Sequence, residues 1–145
     1  MVVVLIIAVL IAIAIPTFMG ARDSARDRAV EQNVRNALTA VRASAADSGG
    51  YRELVFTDLP LNEPQLGWVV GSADSPDAIT MSIRIDNVNE VITIAALHDS
   101  GDCVFLRDWG NQGPGTEFAA VDSSAGIDCR GDSGSNAAVV WSDSW

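Results

Sequence analysis

The sequence predicts an α+β protein in which one long N-terminal helix packs on a roughly four-stranded antiparallel sheet. Residues 1–21 form an uncharged apolar run, and residues 22–46 carry apolar side chains at helical spacing. After residue 51, short runs rich in Val, Ile and Thr are separated by turn residues. We therefore expect an apolar helix at 1–21, an amphipathic helix at 22–48 and a globular head at 49–145.

The apolar run is long enough to span a lipid bilayer. Twenty helical residues measure about 30 Å, which is the thickness of the hydrocarbon core. Apolar side chains surround the whole helix, so it is not an ordinary surface helix of a soluble protein. A secretory signal peptide is also a poor fit, because nothing basic precedes Val2 and a charged helix follows Gly20. We expect this segment to contact lipid or other helices.

A proline interrupts the apolar helix. Pro16 removes one backbone hydrogen bond and crowds the preceding turn, so a kink or a locally opened turn is expected there. Gly20 is a second flexible position. In lipid, the freed carbonyl groups need partners from neighbouring helices or from a hydroxyl such as that of Thr17. Pro16 therefore favours a packed environment over an isolated span.

Residues 22–46 are predicted to continue the same helix with one apolar face. The apolar positions recur at spacings of three and four residues: Val30, Val34, Ala37, Leu38, Val41 and Ala45. Charged side chains are placed for ion pairs within the helix: Asp23 with Arg26, Arg28 with Glu31, and Glu31 with Arg35. Ser48, Gly49 and Gly50 supply the stop. The charged positions form either a solvated face or paired contacts between subunits.

The head is predicted to contain four antiparallel strands, at residues 66–71, 79–86, 90–98 and 103–109. In the second strand, Ile79, Met81, Ile83 and Ile85 alternate with polar residues, which predicts one buried and one solvent-facing side. Residues 86–89 and 99–102 carry the turn residues that hairpins need. The Gly-rich segment from Gly110 onward is predicted to be a loop, with residues 137–141 as a candidate final strand.

The chain has two cysteines, Cys103 and Cys129, which suffice for one disulfide and are too few for a cysteine-rich zinc site. A bridge would tie the C-terminal loop to the last predicted strand and, in the chain-entropy model, stabilise the head by about 3–4 kcal/mol. The alternative is two buried thiols in a reducing compartment. The apolar segment favours the disulfide. A membrane-spanning segment would place the head outside the cytoplasm, where disulfides persist.

The composition argues against several classes of function. A net charge of −10 and the absence of Lys disfavour direct nucleic-acid binding, which relies on basic side chains that neutralise phosphates. The five arginines from Arg22 to Arg42 are the only basic concentration. His98 is the only histidine, and no spacing of Ser, Cys or carboxylates suggests a catalytic triad. We expect no enzyme activity, no cofactor and no catalytic residue.

Two short motifs in the C-terminal segment have alternative interpretations. Arg130-Gly131-Asp132 spells an adhesion tripeptide, but three residues recur by chance. Asp122, Asp128 and Asp132, with loop carbonyls, supply the oxygen ligands that calcium prefers, but their spacing matches no EF-hand. We expect these acids to be solvated turn residues and predict no metal site.

The first 38 residues, MVVVLIIAVLIAIAIPTFMGARDSARDRAVEQNVRNAL, resemble the N-terminal helix of type IV pilins and of the related pseudopilins. The resemblance covers about a quarter of the chain, and the rest matches in architecture only. It implies a subunit that waits in the inner membrane, is processed by a prepilin peptidase and is packed by an assembly machinery with copies of itself into an extracellular filament. The family's processing site, methylated first residue and assembly glutamate have no counterpart here. We therefore expect residues upstream of Met1 to be missing from this numbering.

The resemblance also implies where the contacts in such a filament lie. The expected filament-core or membrane residues are Val4, Ile7, Leu10, Ile13, Ile15, Pro16, Phe18 and Gly20. Family filaments bend or open around a proline that matches Pro16, which makes Pro16 the leading functional position. The main expectation is a structural pilin for adhesion, surface motility or DNA uptake. The alternatives are a pseudopilin of a type II secretion system and a membrane-anchored binding module with a lone span.

Overall fold

The computed structural model describes residues 2–145, except for the side chains of residues 16, 17, 23 and 123. Helix α1 spans Val2–Ser48, and the short helix α2 spans Leu59–Asn62 after a 3₁₀ turn at Phe56–Asp58. Five strands follow: β1 Gly67–Val70, β2 Thr80–Asp86, β3 Val91–Leu97, β4 Cys103–Asp108 and β5 Thr116–Val121. Two further 3₁₀ turns lie at Ser123–Ala125 and Gly131–Ser135. The predicted α+β class is confirmed.

The strands form one sheet in the order β1-β2-β3-β4-β5. The pairs β2–β3 and β3–β4 are antiparallel, as predicted, and β4–β5 is antiparallel as well. Two details differ from the prediction. β1 pairs with β2 in parallel, and β5 lies inside the segment that was predicted to be a loop. The sheet is therefore mixed and has five strands.

The second half of α1 packs on one face of this sheet. All six apolar positions predicted for its inner face are buried, with at most 6 % of each side chain exposed. They meet Met81, Ile83, Ile92 and Ile94 of the sheet in one apolar core. Gly49 and Gly50 end the helix with φ angles of 98° and 124°, and both N–H groups donate to the Ala45 carbonyl. The predicted amphipathic face and the predicted stop are both confirmed.

The opposite face of the sheet is partly covered by the end of the chain. We call residues 122–145 the C-terminal layer. The Cys103–Cys129 disulfide joins this layer to β4, as predicted. Ser82 was assigned to the solvent side of β2, but it is fully buried because the Gly131 N–H donates to its hydroxyl at 2.9 Å. In place of the predicted strand at 137–141, the layer makes one antiparallel bridge, between Phe118 and Ser142.

Candidate functional site: the exposed apolar span

We call residues 2–21 the apolar span, and it lies outside the core described above. The large apolar side chains described between Val2 and Met19 are each at least 50 % exposed. An 18-residue window of the helix has a mean hydropathy of 3.0 and is 0 % buried. By length and composition, this is the one helix in the described chain that could span a membrane. An exposed apolar surface of this extent is typical of a lipid or protein contact.

The site residues expected in this helix are found on its exposed surface. Six of these side chains are described, and each is at least 50 % exposed: Val4, Ile7, Leu10, Ile13, Ile15 and Phe18. Gly20 also faces open space, because a Cβ added there meets no atom within 4 Å. The side chain of Pro16 lies outside the described part of the chain. Their role as filament contacts stays a prediction.

The backbone at Pro16 differs from one expectation. Helix α1 continues without a break from Val2 to Ser48, so of the kink or opened turn expected at Pro16 the opened turn is not found. The kink stays a prediction. Proline removes only one hydrogen bond of the ladder. The turns before and after Pro16 are helical, and their hydrogen bonds keep the helix continuous through this position.

The apolar span carries a shallow groove of about 510 Å³. Its lining residues are Ile11, Ala14, Ile15, Phe18 and Met19. Ala14 is the smallest of the five side chains. A small residue among large ones allows the backbone of a neighbouring helix to approach closely.

Two polar contacts tie the start of the buried helix to the turn between β3 and β4. Arg26 Nε lies 3.4 Å from Asp99 Oδ2, and His98 Nε2 lies 2.9 Å from Asp27 Oδ1. The charged face that includes Arg26 and Asp27 was expected to be solvated or to contact other subunits, and these partners on the head were not predicted. No local pattern could reveal them, because about seventy residues separate the partners in the sequence.

A buried carboxylate fastens the other end of the helix to the sheet. Asp108 is 1 % exposed and accepts from Arg42 Nη2 at 2.6 Å and from the Thr116 hydroxyl at 2.7 Å. The Tyr51 hydroxyl also donates to Asp108. Four segments therefore meet at one side chain: α1, the chain after it, β4 and the start of β5.

These contacts fix the charge of the cluster. Burial alone would favour the neutral acid, but the hydrogen bonds from Arg42, Tyr51 and Thr116 outweigh it and lower the pKa of Asp108. Burial and the bond to Asp108 raise the pKa of Tyr51. An ionised carboxylate whose oxygens are already engaged is a poor proton acceptor. The arrangement is suited to holding the helix on the head rather than to catalysis.

The acids considered as calcium ligands have other contacts. Arg130 pairs with Asp128 and, at 3.1 Å, with Asp74. Asp132 Oδ1 lies 3.9 Å from Arg84 Nε. Asp122 accepts from the Ser124 N–H and caps a 3₁₀ turn. Among the described residues, no group of three or more His, Cys, Asp or Glu could hold a metal ion.

The adhesion tripeptide is not displayed as a free loop. Gly131 is buried, and a Cβ added there would lie 2.6 Å from the backbone nitrogen of Arg84. Arg130 is engaged by the acids named above. The tripeptide therefore serves to seat the C-terminal layer on β2.

Comparison of the chain with protein-family models, with curated proteins and with solved structures finds no match.

Proposed function

We propose that this chain is the structural subunit of an extracellular type IV pilus filament, assembled by packing of its N-terminal helices. The observation that carries the proposal is the abrupt change in burial along α1. The same helix is exposed and apolar at residues 2–21 and is buried on the head from Val30 onward. A helix of this kind joins a head to an apolar environment that the single chain does not provide.

The energetics support two successive environments for the apolar span. Removing a large aliphatic side chain from water contributes about 1.5 kcal/mol or more. Lipid provides this before assembly, and neighbouring helices provide it in a filament core. Because the span is apolar on every side, it suits a position surrounded by other helices as well as by lipid.

The head supports a location outside the cytoplasm. A disulfide between Cys103 and Cys129 persists in oxidising compartments and is rare in reducing ones. The proposed partners are the inner membrane before assembly, further copies of the chain afterwards, and the prepilin peptidase and assembly machinery that the sequence resemblance implies. Adhesion, surface motility and DNA uptake are the functions such a filament would serve.

No described contact favours the pseudopilin alternative. A calcium loop of the kind that those proteins use would draw on Asp122, Asp128 and Asp132. Two of these acids face arginines, and the third caps a turn.

The proposal is tested by locating the full chain in cells that produce it together with a pilus assembly machinery. Filaments are sheared from the surface, and the chain is quantified in the filament and membrane fractions by mass spectrometry. We expect it to dominate the filament fraction. A chain that stays entirely in the membrane as a monomer would contradict the proposal and indicate a lone span.

An Ala14→Leu variant separates filament packing from membrane insertion. The span remains apolar, so insertion is retained. The larger side chain occupies the groove beside Ile11 and Phe18, and overpacking at a helix contact costs about 1–3 kcal/mol. The chain should therefore move from the filament fraction to the membrane fraction. Val88→Leu, at an 83 % exposed position on the head, is the matched control and should leave the distribution unchanged.

A further inference from the structure

A cleft of about 630 Å³ lies where the end of α1 meets the head. We call it the head cleft. Its walls come from the end of α1, from the chain that follows it and from the turns before β3 and after β4. Its volume lies within the range of small-molecule pockets, about 300–1,000 Å³. The charged and hydrogen-bonding side chains of its lining are Arg42, Tyr51, Arg52, Glu90, Asp108 and Asn111.

The head cleft is preformed by hydrogen bonds and close packing. The Asn87 side chain donates to the carbonyls of Tyr51 and Arg52 at 2.8 and 2.9 Å, which fixes the chain after α1. Gly110 has a φ of 55°, and a Cβ added there would lie 3.1 Å from the Tyr51 ring. Glu90 is the one described residue other than Gly with a positive φ, also 55°. Such conformations persist where the surrounding structure holds them, often at ligand sites.

The charges within the head cleft cancel. Arg42 pairs with Asp108, and Arg52 pairs with Glu90, so two cations face two anions. The head around the cleft is acidic, because residues 43–145 contain four Arg and sixteen acidic residues. A free anion would meet no net positive charge in the cleft and would be repelled by the rest of the head. The charge distribution therefore favours a neutral ligand.

Several polar atoms of the head cleft have no partner among the described residues. The ion pair of Arg52 and Glu90 uses Nε and Oε1, which leaves both Nη groups of the arginine and Oε2 of the acid. The hydrogen bonds of Arg42 use Nε and Nη2, which leaves Nη1. The Asn111 amide is exposed and makes no hydrogen bond within the described chain. The cleft thus offers donors and acceptors together.

Hydroxyl groups match this combination. A hydroxyl donates one hydrogen bond and accepts up to two, so neighbouring hydroxyls can donate to Glu90 Oε2 and accept from Arg52. Bonds of this kind, with one charged partner, are stronger than those between neutral groups. Apart from the buried Tyr51 ring, the apolar side chains of the lining are those of Ala45 and Ala46, which disfavours a mostly apolar ligand. Sugars carry several neighbouring hydroxyls and no charge.

We propose that the head cleft binds a neutral saccharide, with Arg52, Glu90 and Asn111 contacting its hydroxyl groups. The sugar is free or part of a larger glycan, since both present the same hydroxyls. One such site binds weakly, because an open cleft of hydrogen-bonding groups buries little apolar surface. Repetition of the cleft along a filament raises the overall affinity through multivalency. The inference goes beyond the proposed function and does not depend on it.

The test titrates neutral trisaccharides of glucose, galactose and mannose, one at a time, into the full chain in micelles of a sugar-free detergent. Saturation-transfer NMR measures the binding. We expect at least one trisaccharide to bind saturably. Arg52→Ala should weaken this binding at least about tenfold, and Asn111→Ala about three- to tenfold. Arg28→Ala and Gln112→Ala change exposed residues outside the cleft, so these matched controls should bind as the unaltered chain does.

Glu90→Gln tests the charge balance of the head cleft. It keeps the size of the side chain, leaves Arg52 without its acid and gives the cleft a net positive charge. Binding of the neutral trisaccharide should weaken about three- to tenfold, because a charged acceptor is replaced by an amide. Binding of glucuronate, a sugar with a carboxylate, should strengthen at least about threefold. No change in either affinity would contradict the placement of the sugar beside Glu90.

The remaining results are equally decisive. The proposal is overturned if none of the three trisaccharides binds saturably, or if Arg52→Ala and Asn111→Ala leave the binding unchanged, because the sugar would then lie elsewhere. Binding of glucuronate alone by the unaltered chain would overturn it in favour of an anion site. All of these measurements use single chains in micelles, so their failure leaves the filament proposal standing. A chain that binds sugar and forms no filaments would do the reverse.

Discussion

Asp108 receives hydrogen bonds from Arg42, Tyr51 and Thr116, which belong to three different segments of the chain. Asp108→Asn removes the charge and leaves at least one buried donor poorly matched, so we expect a loss of about 2–3 kcal/mol in the free energy of unfolding. Urea unfolding of the chain in detergent measures it. Asp143→Asn, at an exposed acid, should change the value by less than about 0.5 kcal/mol. An equally small change for Asp108→Asn would contradict the proposed clamp.

The lowered pKa of Asp108 predicts a dependence of stability on pH. A carboxyl whose pKa is lower in the folded state stabilises the fold above its unfolded pKa, and this contribution disappears as the pH falls through the folded pKa. The ordinary value is 3.8, so the loss should occur below about pH 4. Unfolding measured between pH 5 and pH 2 should show a steeper decline for the unaltered chain than for Asp108→Asn. Parallel curves would show that Asp108 does not carry this dependence.

Single residues differ in how far the sequence could predict their contacts. The two cysteines could be paired because the chain has no others. The Arg42–Asp108 pair could not be found, because its members are 66 residues apart and many other acids compete for Arg42. Only the fold, which places β4 beside the end of α1, selects Asp108.

At the scale of elements, α1 was predictable and the edges of the sheet were not. The spacing of Val30, Val34 and Leu38 fixes a helical face whatever lies opposite it. β5 is short and is surrounded by Gly and Ser, so its local pattern is that of a loop. The residues of β1 predict a strand. Its parallel direction is not predicted by them, because it depends on the path of residues 71–79, which connect β1 to β2.

The C-terminal layer also explains why the polar side of β2 was misjudged. Alternation along a strand shows that its two sides differ, but it does not reveal that a later segment covers the polar one. Ser82 and Thr93 are small polar residues that a covering segment can contact closely, and both are buried. The Ser82 hydroxyl accepts from the Gly131 N–H, and the Thr93 methyl group lies beside Gly134. Beyond them, Ala95 and Phe105 of the sheet form an apolar cluster with Val139 of the layer.

The disulfide is expected to hold the C-terminal layer on the sheet. Cys103 and Cys129 are separated by 26 residues, and most of the enclosed segment outside β5 has no regular strand or α-helix. Replacing both cysteines by serine should lower the free energy of unfolding by about 3–4 kcal/mol. Chemical unfolding with and without reductant measures this loss. If reduction leaves the unaltered chain as stable as before, the bridge has no such role.

Gly131 is expected to tolerate no side chain. A Cβ at this position would lie 2.6 Å from the backbone nitrogen of Arg84, and a backbone atom in a central part of the sheet has little room to move. Gly131→Ala should therefore destabilise the head by about 1–3 kcal/mol. Thermal unfolding gives the change, and Gly20→Ala is the control because its Cβ meets nothing within 4 Å. An unchanged melting temperature for Gly131→Ala would show that the layer does not pack as described.

At the scale of the whole molecule, one helix serves two surroundings. From Val30 onward it completes the core of an acidic, disulfide-linked head, and before Ala21 it exposes an apolar surface to whatever surrounds it. The division at the first charged residue was evident from the sequence, because charge and apolar periodicity both change there. What covers the apolar span was not evident, because lipid and neighbouring helices select the same side chains.

The central claim is that neighbouring helices cover the apolar span in a filament. The measurement that tests it most directly is an electron cryomicroscopy map of filaments formed by the full chain, at a resolution that traces α1. We predict that Val4, Leu10, Ile13 and Phe18 contact helices of other subunits, with the heads outside. A filament in which the apolar span faces solvent would contradict the account.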